Sequence, residues 1–100
     1  MAKKIIWSLQ AQNDRKKILE FWIQRNKSKT YSLKLNKIFK SSAKLIAKHP
    51  NIGRHTDFGQ VRAKVIKDYL IFYEETSDTI NILSVWDSRQ NPEKVKDRLK

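Results

Sequence analysis

The chain has 100 residues, with 22 Lys and Arg against 10 Asp and Glu and a formal net charge of +12. That length supports one hydrophobic core, so residues 1–100 are expected to form a single domain. With 39% hydrophobic and 10% aromatic residues it is too apolar to be a disordered basic tail, and without cysteine it has no disulfide, thiolate-zinc or thiol-nucleophile chemistry. The basic start leads into only three apolar residues, Ile5-Ile6-Trp7, too short for a signal peptide or a membrane span. A soluble, cytoplasmic protein is expected.

The charge is uneven. Residues 1–57 carry 14 Lys/Arg and 3 Asp/Glu, while residues 58–100 carry 8 and 7. No acidic residue stands between Glu20 and Asp57, where nine basic ones occur. Such a field attracts a polyanion or an acidic protein, and it equally describes a solvated lysine surface.

In chain order, Lys4-Ile5-Ile6-Trp7 is short, apolar and β-branched, which predicts a strand. Ser8 stands where a helix N-cap would, and Ile18, Leu19, Trp22 and Ile23 recur at helical spacing up to about Arg25. Asn26-Lys27-Ser28 breaks the pattern, and Ser28 or Thr30 is the candidate cap for a second helix over about 29–48. There Tyr31, Leu35, Ile38, Phe39, Ser42, Leu45 and Ile46 share one sector, opposite Lys34, Lys37, Lys40, Lys44 and Lys48. His49-Pro50 ends that helix. Beyond Gly53 the period becomes 2: Val61 to Ile66, Tyr69 to Tyr73 and Thr79 to Trp86 read as three strands of an antiparallel meander. Glu93–Lys100 reads as a short terminal helix or a mobile tail. The expected fold is α+β, β-α-α-β-β-β, a helical hairpin on a small antiparallel sheet.

Several motifs sit on this frame. They are Ser8-x-x-Ala11-x-x-Asp14, Pro50-x-x-Gly53-Arg54, Val61-Arg62, Tyr69-Leu70-Ile71-Phe72-Tyr73, and Ile80-x-Ile82-Leu83-x-Val85 running into Trp86-Asp87-Ser88-Arg89. In order and spacing the chain resembles the RelE/ParE family of toxins from bacterial type II toxin–antitoxin systems. The resemblance implies a small basic toxin, neutralised by an acidic antitoxin in an even-numbered complex. It also implies one of two mechanisms: ParE-like members bind an essential target, DNA gyrase being the family's example, and RelE-like members are ribosome-dependent mRNA endonucleases. In the endonuclease branch an arginine follows the aromatic position that opens the third strand; here that residue is Leu70, and the C-terminal set is reduced to Arg89. The ParE-like reading is therefore the expectation, with the mRNA interferase as its alternative.

RNA cleavage needs a base, an acid and cations for the developing charge. Under that alternative the catalytic candidates are Arg62, Arg89 and Asp87. Arg62 and Lys64 are two apart on a strand and project from one face, and Arg54 and Arg89 are candidates to join them as a phosphate clamp. The same cations suit antitoxin carboxylates. Trp86 is a candidate stacking platform, and Lys37 and Lys44 represent the lysine stripe as a nucleic-acid or partner surface. Each has a plainer reading: Arg89 paired with Asp87 or Glu93, Arg54 bonded to loop carbonyls, Arg62 and Lys64 on a solvated sheet face, and Trp86 in packing. His49 and His55 lack a carboxylate partner at ligand spacing, so neither a metal site nor a cofactor is expected.

Overall fold

Lys4–Trp7 form β1, α1 spans Leu9–Asn26 and α2 spans Thr30–Lys48; β2 (Arg54–His55), β3 (Arg62–Ile66), β4 (Tyr69–Glu75) and β5 (Thr79–Asp87) follow. The structure, a computed structural model, describes residues 3–90 together with Lys94 and Leu99. The expected terminal helix over 93–100 thus lies outside the described residues except at those two positions.

The five strands form one sheet in the order β1-β5-β4-β3-β2. It is mixed rather than wholly antiparallel, because β1 runs parallel to β5, with Ile5 opposite Ile80 and Trp7 opposite Ile82. A parallel neighbour needs a long crossover, which the helical hairpin and the meander supply. The two-residue β2, too short for a periodicity signal, pairs Arg54 with Ala63 and His55 with Arg62.

Both helix entries follow from local chemistry. Ser8 caps α1, its Oγ accepting from the Ala11 N–H at 3.0 Å. At α2 the cap position falls on Lys29 with no side-chain bond, while Ser28 Oγ accepts from the Thr30 N–H at 3.2 Å. Between the helices Lys27 takes a left-handed conformation, φ 52, that terminates α1. The buried face of α2 is Ser32, Leu35, Phe39, Ala43, Ile46 and Ala47, rotated from the expected stripe so that Leu45 is exposed. The small residues on that face let the neighbouring elements approach, and Ser32 Oγ donates to the Leu19 carbonyl of α1 at 3.0 Å.

The main core lies between the helices and one face of the sheet, where Leu35, Phe39 and Ile46 meet Ile71, Tyr73, Ile80 and Ile82. On the opposite face a second cluster gathers Val61, Phe72 and Trp86, with Phe58, Ala63, Leu70, Leu83 and Leu99 packed around it. Among the described residues no helix is long and apolar enough to cross a membrane.

Candidate functional site

The register of β5 against β4 skips one residue. Phe72 faces Ser84 but Tyr73 faces Ile82, leaving Leu83 as an extra residue, a β-bulge. Two α1-side groups make three hydrogen bonds at this irregularity, two of them to its backbone. Ser8 Oγ donates to the Leu83 carbonyl at 3.0 Å, and Asp14 Oδ2 accepts from Ser84 Oγ at 2.8 Å and from the Val85 N–H at 3.1 Å. Ala11, fully buried between them, has only a methyl group, too small to hold the helix away. The Ser8-x-x-Ala11-x-x-Asp14 spacing therefore places an N-cap, a small contact and a carboxylate on one helix face, aimed at a strand defect. Gln10 Nε2 donates to Asp14 Oδ1 at 2.8 Å and fixes the carboxylate from its other side.

Beyond that stitch a cleft of about 240 Å³ opens between α1 and the ends of β4 and β5. Lys17, Ile18 and Phe21 come from the helix, Tyr69 from β4, and Val85, Trp86, Asp87, Arg89 and Gln90 from β5 and the turn after it, with Asp14 at its base. Phe21 is 51% exposed, a large aromatic side chain left in solvent at the cleft wall, with its ring edge-on to Trp22 at 5.2 Å. Trp22 Nε1 donates to Tyr69 Oη at 2.8 Å, which orients the buried phenol. Burial pushes the Tyr69 pKa up, partly offset by that bond. At the rim Arg89 grips Asp87 through two side-chain bonds, Nε to Oδ1 at 3.0 Å and Nη2 to Oδ2 at 2.9 Å. The guanidinium holds the Asp87 carboxyl below the usual carboxylate range. A carboxylate so stabilised is a poor proton acceptor, so the pair suits recognition better than proton transfer.

The other sequence candidates are scattered. Arg62 lies opposite Tyr73 on β4 and Lys64 opposite Ile71, so both occupy the sheet face that carries the main core, at its β3 edge. Arg62 Nη1 donates to the Gly53 carbonyl at 2.8 Å and reaches the Asn51 carbonyl at 3.4 Å. It thus performs the loop-tying role expected of Arg54, which instead lies exposed on β2. Tyr73 holds the same loop: its hydroxyl donates to the Pro50 carbonyl at 2.7 Å and accepts from the Gly53 N–H at 2.9 Å. A Cβ on Gly53 would stand 2.7 Å from Tyr73 Oη, so only glycine fits beneath the ring.

Arg62 and Arg89 are not brought together. Arg62 faces Tyr73, whereas Asp87, the partner of Arg89, faces Tyr69, about 13 Å along β4 at the usual rise per residue. Trp86 is only 6% exposed and packs with Val61 and Phe72, which leaves no ring face for a base. Leu70 joins Ala63, Leu83 and Trp86 on that same apolar face. Lys37 and Lys44 stand exposed on α2, remote from the cleft in sequence and element. The α1 side of the cleft escaped the sequence reading. Phe21 was its available signal, an aromatic residue off the Ile18-Leu19-Trp22-Ile23 stripe, which predicts exposure.

A helical hairpin over a five-stranded mixed sheet, with charge on the helices and an open cleft at the strand ends, defines the RelE/ParE architecture. A solved chain described as "Chromosomal ParDE TA system from P. aeruginosa" has the same fold, with a TM-score of 0.77 and 17% identity over 86% of this chain and 96% of that one. Residues 5–92 match the family described as ParE toxin of type II toxin-antitoxin system, parDE. The chain belongs to the ParE toxin family, and a cognate ParD antitoxin is implied. Among curated proteins no sequence matches this chain.

Proposed function

We propose that this ParE toxin arrests growth by binding an essential target, DNA gyrase being the candidate, through the α1–β5 cleft, and that its antitoxin neutralises it in an even-numbered complex by covering that surface. The observation that carries the reading is the pairing of an exposed Phe21 with the fixed Asp87–Arg89 rim in one cleft. Aromatic side chains and arginines are enriched where proteins bind one another. The positions of the nuclease candidates support the same side of the family. Arg62 is engaged with loop carbonyls, Asp87 is held ionised by Arg89, and the two arginines stand at opposite ends of β4.

Supercoiling by purified gyrase, measured with micromolar toxin, tests the proposal. Wild type is expected to inhibit, and Phe21→Ala and Arg89→Ala to lose at least tenfold in potency while remaining folded. Uninhibited gyrase, together with new codon-phased cuts in the mRNA of toxin-expressing cells, would overturn it in favour of the endonuclease.

A further inference from the structure

We infer that the lysine face of α2 is a docking track for the phosphate backbone of duplex DNA, used without base readout. Lys34, Lys37, Lys40, Lys44 and Lys48 are all exposed. At 100° per residue they fall within about 120° of the helix circumference, and at 1.5 Å per residue they extend over about 21 Å. Among the described residues the ion pairs are Lys3 with Glu75 and Arg89 with Asp87, so none of the five is neutralised that way. The helix has no carboxylate of its own, and Glu20 of α1 lies in the shallow groove beside Asn36 and Ile23 on its flank.

Four features select the occupant. Like charges at i, i+3 and i+4 repel one another in the free protein, and a polyanion removes that repulsion. The cations are all lysines, point charges suited to phosphate, with no arginine fork to grip a guanine edge. No aromatic side chain shares the face, since Phe39 is buried and Tyr31 packs on the core, so the stacking on which single-strand binders depend is missing. The single apolar side chain within the sector, exposed Leu33, is not a protein-docking stripe. A duplex presents one phosphate charge per roughly 1.7 Å of axis, so about a dozen lie along the length of the track.

This inference is independent of the gyrase proposal, and its readout is DNA binding by the full chain alone. Anisotropy of a labelled 20-base-pair duplex is measured between 50 and 200 mM salt. Five phosphate contacts give a slope of log K against log salt near −4.5, a loss of about 500-fold over that range. The triple variant K37Q/K40Q/K44Q is expected to flatten the slope to about −1.8, a loss of about 12-fold, and K40Q alone to shift it by about 0.9. A control, K4Q/K67Q/K94Q, removes the same charge from other exposed positions and should keep the wild-type slope. Circular dichroism checks that each variant is folded, and K40Q keeps the test decisive if the triple variant is not. Equal flattening in the control and the triple variant would reduce the effect to bulk charge and overturn the inference. So would absence of duplex binding at 50 mM salt, or tighter binding of single-stranded DNA or poly-glutamate than of duplex.

Discussion

Replacing Tyr73 with Phe keeps the ring in the core and removes one oxygen. That oxygen is the joint of the Pro50–Gly53 loop, donating to the Pro50 carbonyl at 2.7 Å and accepting from the Gly53 N–H at 2.9 Å. Gly53 is buried, so its N–H loses its partner without gaining water. A buried donor left unsatisfied costs about 1–3 kcal/mol, and the lost bond to the half-buried Pro50 carbonyl adds about 1. A total near 2–4 kcal/mol lowers Tm by roughly 8–32 °C for a domain of this size. Differential scanning calorimetry of Tyr73→Phe measures it, and a fall of less than about 3 °C would refute the loop-clamp reasoning. Gly53→Ala supplies the second arm, because its new Cβ would stand 2.7 Å from Tyr73 Oη and 2.8 Å from Cε1. Removing the hydroxyl relieves the first of these contacts, so the double variant should be less destabilised than the sum of the singles. A coupling of about 1 kcal/mol or more is expected.

Asp14→Ala removes the acceptor shared by Ser84 Oγ and the Val85 N–H, and urea unfolding should show a loss of about 3–5 kcal/mol; Asp14→Asn, which keeps one oxygen, should cost visibly less. Tyr69 and Tyr73 both have pKa values raised by burial above the 10.0 of the exposed phenol. Above pH 10 the unfolded chain therefore releases phenolic protons that the folded chain retains, so their contribution to stability is full below pH 10 and declines as pH rises through the folded values. Denaturant midpoints between pH 9 and 11 should fall, less steeply in Tyr73→Phe; an unchanged slope would contradict the assignment. Arg62→Ala loses its bond to the Gly53 carbonyl and should cost about 1 kcal/mol, with toxicity following the folded fraction and recovering at lower growth temperature. Abolished toxicity in a fully folded Arg62→Ala protein would instead give Arg62 a direct part in attack on the target.

Most elements were legible because each is written locally. The Ser8 cap, the Asn26–Ser28 break, the His49-Pro50 stop and the change from 3.6 to 2 residues per period fix helices and strands through short-range sterics and hydrogen bonding. β2 was not legible, since two residues cannot display a period, nor was the parallel pairing of β1, which depends on a partner about 75 residues away. The site was legible only in pieces. Asp87 and Arg89 are two apart, and their pairing stood among the sequence alternatives. Lys17 and Phe21 join them through the packing of α1 on β5, to which no spacing in the sequence points.

The sequence by itself determined the element order, the basic helix face and the family pattern, because propensity, periodicity and charge are properties of neighbouring residues. Only the tertiary structure decided what the charged residues do. It turned Arg62 onto its own loop, placed Arg89 at the far end of β4 and buried Trp86. It also gave Asp14 its role as acceptor at a strand bulge, since the buried polar groups of that defect must pair with whichever side chain the fold brings within reach.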